Sequence, residues 1–163
     1  MSDDNYTNPI DIGNTKDFIE GKGREIKVKY ENEQTQEKKQ RSISVFRYKS
    51  ILYAIDHHCY HMGGPLSNGD IEDITLPKKN GESTHHPCVV CPWHHYNISL
   101  KTGESIYKHN DPFNKNVKPC MKSRGKKQRT HEIYENVKSG RVMIKLNISK
   151  NEIYESDRYS EEE

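Results

Sequence analysis

Cys59-Tyr60-His61-Met62-Gly63-Gly64-Pro65-Leu66 and Cys88-Val89-Val90-Cys91-Pro92-Trp93-His94-His95-Tyr96 are the two stretches on which the reading of this sequence turns. Each holds a cysteine and a histidine at ligand spacing, Cys59-x-His61 in the first and Cys91-x-x-His94 in the second. Thiolate sulfur and imidazole nitrogen together suit zinc or iron, and at this spacing both side chains can converge from one tight loop. Gly63 and Gly64 let the backbone approach closely and aim N–H groups at a bound centre, while Pro65 and Pro92 stiffen the loops. A structural zinc site of two cysteines and two histidines is the plain alternative. Zinc fingers usually pair Cys with Cys on a hairpin and His with His on a helix. Here each loop gives one of each, and no helical pattern follows the second. That even split fits a two-iron site better, because two imidazoles on one iron remove negative charge from the cluster.

Outward from these boxes the chain alternates with a period of two. Glu25-Ile26-Lys27-Val28-Lys29-Tyr30 and Ser42-Ile43-Ser44-Val45-Phe46-Arg47-Tyr48 predict the two strands of a hairpin, and Ile51-Leu52-Tyr53-Ala54-Ile55-Asp56 a third strand. Residues 88–90, 96–100, 130–134 and 142–146 read as further short strands. No long window carries a helical stripe, so the class is all-β, a small antiparallel sandwich or barrel. Residues 1–20 read as a polar lead-in, 21–148 as the domain, and 149–163 as a charged, disordered tail. Residues 76–87 show no period and read as a loop inserted between the two boxes.

At 163 residues the length predicts one domain with a modest core. Hydrophobic and charged residues each make up 31%, a balance that would favour disorder if the charges were not nearly cancelled at +2. A bound metal cofactor would help such a chain hold together. Met1-Ser2-Asp3-Asp4-Asn5 is acidic with no apolar run behind it, and no segment is apolar over the length of a membrane span. Four cysteines in that context read as ligands or thiols in a cytosolic protein, with no disulfide framework and no membrane partner.

With these residues in view, the boxes C-x-H-x-G-G-P-L and C-P-W-H-x-Y resemble those of Rieske ferredoxins and of the ferredoxin domains of Rieske oxygenases. Lys118-Pro119, Lys127-Gln128-Arg129-x-His131 and the closing strand are similar to the small stand-alone Rieske domain-containing proteins of animals. The resemblance implies a Rieske fold, with a cluster-binding subdomain of two loops. It further implies one 2Fe-2S cluster, with Cys59 and Cys91 on the inner iron and His61 and His94 on the outer, more exposed iron. Respiratory Rieske proteins add a disulfide between the two loops, but Gly64 and Trp93 stand at those places here, which implies a ferredoxin-like centre of lower potential.

Other chemistry-bearing residues read more plainly. Cys88 forms a Cys-x-x-Cys pair with Cys91, but it lies in an apolar run and is expected to be a buried structural thiol. Cys120 is expected at or near the surface, and His57, His58 and His95 are off the ligand spacing by one or more residues. His85-His86 is expected to be a solvated pair in the inserted loop. Residues 115–131 carry seven Lys and Arg and no acid. In that run Lys126, Lys127 and Arg129 are candidates for docking an acidic redox partner. Aromatic residues are not interleaved there, so nucleic acid is not an expected partner. The function implied is a one-electron carrier between a reductase, such as a flavoprotein, and an acceptor such as an oxygenase, with no catalytic domain of its own. A redox- or cluster-sensing module is one alternative, and a zinc-stabilised interaction domain another.

Overall fold

In the computed structural model, which describes residues 5–32 and 35–162, the alternating segments pair as a β-hairpin and carry a second, smaller sheet as an insertion. The first strands are β1 (Ile10–Asn14), β2 (Gly23–Glu31), β3 (Lys38–Tyr48) and β4 (Ile51–Asp56). They are followed by β5 (Ile71–Pro77), β6 (Ser83–Val90), β7 (Asn97–Ser99), β8 (Glu104–His109) and β9 (Cys120–Lys126). The chain ends with β10 (Thr130–Asn136), β11 (Arg141–Lys145) and β12 (Glu161–Glu162). The base sheet runs β1-β11-β10-β4-β3-β12, with β2 also on β3, while the small sheet runs β5-β6-β7-β8-β9. All these pairings are antiparallel, and among the described residues helix is confined to short 3-10 turns, so the all-β expectation holds.

The β3–β4 hairpin sets the start of the first ligand loop. Lys49 and Ser50, the two residues of its turn, both have positive φ, the backbone shape a two-residue hairpin needs. Neither is the Gly or Asn that adopts it cheaply. The Glu20 carboxylate offsets this by accepting both of their backbone N–H groups, at 2.9 and 2.7 Å. Under the base sheet pack Phe18, Val28, Ile43, Val45, Ala54, Val142, Ile144 and Leu146. A second cluster joins Phe46 and Ile55 of the base to Leu66, Val89, Ile98 and Leu100, and it includes Cys59 and Cys91. The two candidate ligand cysteines therefore sit on the seam between the two sheets.

Several sequence expectations are corrected. The lead-in is part of the fold: Ile10 pairs with Ile144, and Phe18 is buried; residues 1–4 lie outside the described residues. The loop at 76–87 is the end of a hairpin, with β5 and β6 in register from Ile71–Val89 to Pro77–Ser83. Its polar composition hid the pattern, because His86 points inward and is satisfied by Thr84 and Ser99. His85-His86 is thus not a solvated pair. The basic run at 115–131 contains strand β9, paired with β8. The described part of the tail is ordered as well: Glu155–Tyr159 form a 3-10 helix, with Tyr154, Ser156 and Ser160 buried, and residue 163 lies outside the described residues.

Candidate metal centre

The two ligand loops are the same small turn built twice. In each, the cysteine carbonyl accepts the N–H four residues on, from Gly63 to Cys59 at 2.7 Å and from His95 to Cys91 at 2.8 Å. The cysteine N–H donates to the carbonyl five residues on, from Cys59 to Gly64 and from Cys91 to Tyr96, each at 2.8 Å. The fourth residue has positive φ in both, 82° at Gly63 and 60° at His95. The cysteine sulfur is placed inside the turn. Cys59 Sγ accepts the N–H groups of His61 and Met62, and Cys91 Sγ those of Trp93 and His94. Such donors favour thiolate.

The sulfurs are buried and face one another. A hydrogen bond from the Cys59 thiol, with the backbone N–H groups of Trp93 and His94, holds Cys91 down at about 6 against the opposing effect of burial. The same hydrogen bond, with burial, pushes Cys59 up. The pair is thus polarised toward a thiolate at Cys91, and a metal would take both sulfurs. Gly64 fits tightly against this pair: a Cβ there would lie 2.8 Å from Cys91 Sγ and 3.2 Å from the Trp93 ring. Only glycine lets the first loop pass so close to the second.

The histidines are more exposed than the sulfurs, His61 half-buried and His94 open to solvent. The His61 and His94 rings are 5.0 Å apart and nearly perpendicular, and Tyr96 stacks on His61 at 4.1 Å. His61 Nδ1 is buried with no hydrogen-bond partner. A buried imidazole nitrogen left bare is costly, about 1–3 kcal/mol, so it asks for a partner the protein does not itself supply. A metal bond would be that partner. Two cysteines and two histidines, one of each from either loop, are a donor set that would fit a Rieske-type two-iron group, which would take sulfur from both cysteines and nitrogen from both histidines.

The nearby candidates do not join the four. His57 is buried, with Nδ1 2.8 Å from Ser44 Oγ, and burial lowers its pKa although Glu25 opposes this. His58 Nδ1 lies 3.2 Å from the Gly63 carbonyl, and His95 is exposed. Cys88 is buried among Leu76 and Ile106, where burial pushes its thiol up to about 12, and Cys120 is exposed. Arg129 does not belong to a docking surface. It is 4% exposed and paired with Asp157, and Lys127 is bonded to Glu155 at 2.8 Å.

Sequence reasoning missed Gln128 as a support of the site. Its buried amide accepts the Tyr60 N–H at 2.9 Å and donates to the carbonyls of Asp56 and His58 at 2.9 and 2.7 Å, pinning the first loop on both sides of Cys59. Its place in a basic run gave no sign of burial.

A model of the family described as soluble Rieske-type ferredoxin matches residues 21–149. The chain belongs to this family. A human Rieske domain-containing protein is 39% identical over 124 residues, which cover 76% of this chain and 72% of that protein. A chain in the complex of a fluorene-bound oxygenase variant with the ferredoxin of carbazole 1,9a-dioxygenase shares the fold. Its TM-score is 0.53 and its identity 19%, over 86% of this chain and 30% of that one. The ferredoxin of carbazole 1,9a-dioxygenase from Nocardioides aromaticivorans IC177 has a TM-score of 0.46 and 14% identity, over 85% of this chain and 97% of that one. As a Rieske ferredoxin the protein has the all-β Rieske fold and a Rieske-type 2Fe-2S cluster as cofactor, in a family of electron carriers.

Proposed function

We propose that this ferredoxin carries single electrons on a cluster held by Cys59 and Cys91 at the inner iron and by His61 and His94 at the outer one. The observation that carries this reading is the bare, buried Nδ1 of His61 beside His94 and the two facing thiols. When bound, the group supplies a reversible one-electron change at iron. The chain's own residues do the rest. Four backbone N–H groups stabilise the thiolates, and the seam cluster excludes water behind them. His94 is exposed and His61 half-buried, with Met62 (55% exposed) and Trp93 (56% exposed) forming an apolar rim around this edge. Electrons would enter and leave through the histidine edge.

The carbazole 1,9a-dioxygenase complexes pair a ferredoxin with an oxygenase, and an oxygenase is the class of acceptor this reading takes, with a flavoprotein reductase as donor. Exposed Lys122, Arg124 and Lys126 on the edge strand β9 are the docking candidates, in place of Lys127 and Arg129. The unpaired thiols of Cys88 and Cys120 suit a reducing compartment, and the cytosol is the proposed location.

Iron and acid-labile sulfide analysis of the purified chain tests the reading, with two of each expected per chain and uptake of one electron in a reductive titration. Stoichiometric zinc without sulfide would overturn it. The potential is expected toward the lower end of the Rieske span of roughly −150 to +300 mV. Protein-film voltammetry near the upper end would contradict the ferredoxin-like assignment.

A further inference from the structure

Past β11 the chain crosses back under the first ligand loop. Residues 154–160 lie beyond the span 21–149 that matches the family, yet they are firmly anchored. Ser156 is fully buried: its N–H donates to the Lys127 carbonyl at 3.1 Å, and its Oγ accepts the Arg129 N–H at 3.0 Å and lies 3.3 Å from Asp56 Oδ2. The Asp157 carboxylate takes Nε and Nη2 of Arg129, each at 2.8 Å, and Nη2 of Arg41 at 3.0 Å. The Arg129 guanidinium also lies over the Tyr154 ring, 4.5 Å from its centre. Both arginines are almost wholly buried, so these are structural anchors.

The anchored helix delivers one side chain to the ligand loop. The Tyr159 ring lies so close under Gly63 that a Cβ there would meet it at 3.2 Å, and the Tyr159 hydroxyl is 3.5 Å from the His61 carbonyl. Gly63 closes the turn around Cys59, and His61 is the residue with the bare Nδ1. The ring therefore braces the loop at Gly63 and His61, while Gln128 holds it at Tyr60 and His58.

We propose that Tyr159 is a positioning residue for the first ligand loop, and that residues 154–160 form a clasp that slows loss of the cluster. This rests on the reading that Cys59 and His61 are ligands. A ligand loop opens by local unfolding, at a free energy set by what packs on it. Met62 on the outer face is exposed, and the Tyr159 ring and Gln128 are among the contacts the loop must break to swing out, with the Tyr96 stack on His61 and the bond between the Tyr60 and Ser105 hydroxyls. Groups that orient metal ligands typically change metal affinity 10- to 100-fold when removed.

The test compares the full-length holoprotein with its Tyr159→Ala and Tyr159→Phe variants. Cluster absorbance is followed under an iron chelator, and amide hydrogen exchange is read at Cys59 and Gly63. Tyr159→Ala should lose its cluster on the order of 10-fold faster, the low end of the range for orienting groups. Exchange at Cys59 and Gly63 should quicken, while amides of β2 and β3 are unchanged. Tyr159→Phe, which keeps the ring, should behave as wild type. Equal loss rates for Tyr159→Ala and wild type, or exchange accelerated equally in both sheets, would overturn the clasp while leaving the ligand reading intact. A wild-type chain with neither iron nor sulfide would overturn the ligand reading, and the clasp with it.

Discussion

At the scale of single residues, the site separates thiols and glycines that look alike in the sequence. Cys88 and Cys91 are three residues apart, but Cys91 turns into the seam opposite Cys59 while Cys88 points into the satellite cluster of the small sheet. Cys88→Ser should therefore keep the cluster spectrum, whereas Cys59→Ser and Cys91→Ser should purify without it. A folded but colourless Cys88→Ser protein would show that the wrong thiol had been chosen. Gly63 and Gly64 differ in the same way. Gly63 needs its positive φ, and Gly64 needs the absence of a side chain. Gly64→Ala would push a methyl into Cys91 Sγ and the Trp93 ring, an overpacking that typically costs about 1–3 kcal/mol. It should lower the urea midpoint and the cluster content together, and full occupancy at wild-type stability would refute the close approach.

At the scale of elements, a buried polar network ties β3, β4, β10 and the C-terminal helix together around Asp56. Burial would raise the Asp56 pKa, but Arg41, bonded through Nε and Nη2 at 2.7 Å each, and His131 at 2.8 Å hold it at about 2. His131 Nδ1 accepts the Asn147 N–H at 2.9 Å, so its proton is on Nε2, facing Asp56. A second proton would break the Asn147 bond, which agrees with burial lowering the His131 pKa despite the Asp56 charge. Both groups have depressed folded pKa values, so the unfolded chain binds more protons and stability is lost as the pH falls. His131, His57 and His86 are all lowered from 6.5, so the loss should begin as pH drops below that value. The Asp56 contribution, about 2 kcal/mol, is complete above 3.8 and should disappear only as pH falls toward about 2. Urea midpoints measured from pH 7 to 4 check the histidine part, and midpoints from pH 4 to 2 the Asp56 part; a flat profile from pH 7 to 4 would mean that the histidines are protonated without loss. Little of this network was legible beforehand. Period-two alternation located β2, β3, β4, β10 and β11, and the two boxes located the four candidate ligands, because a buried face and a ligand loop both leave local patterns. Strands β5 and β9 and the tail hid behind polar residues whose burial depends on distant partners, such as His86 with Ser99 and Arg129 with Asp157.

At the scale of the whole molecule, the insertion of the small sheet between β4 and β10 puts the ligand loops at one end and leaves β9 as an exposed edge beside them. Arg124 connects the two. Its guanidinium lies 4.1 Å from the Tyr107 ring centre and 5.3 Å from that of Tyr96, and Tyr96 stacks on His61. The basic run thus divides by role: Arg129 and Lys127 hold the C-terminal helix, while Lys122 and Lys126 are exposed on β9 and free of those anchors. Charges on such an edge act on an approaching acidic partner through fields screened over about 8–10 Å at physiological salt. The double variant Lys122→Glu, Lys126→Glu should therefore slow electron transfer from the physiological reductase at low ionic strength, with the difference shrinking as salt is added. Its cluster spectrum and potential should stay as in wild type, because neither lysine contacts the ligand loops; Arg124 is left in place so that the stack on Tyr96 is intact. Arg129→Glu, by contrast, should fail to fold, since it buries a carboxylate against Asp157. Stopped-flow rates for the double variant equal to wild type at low salt would remove β9 from the docking face and leave the apolar rim of Met62 and Trp93 as the surface on which a partner is recognised.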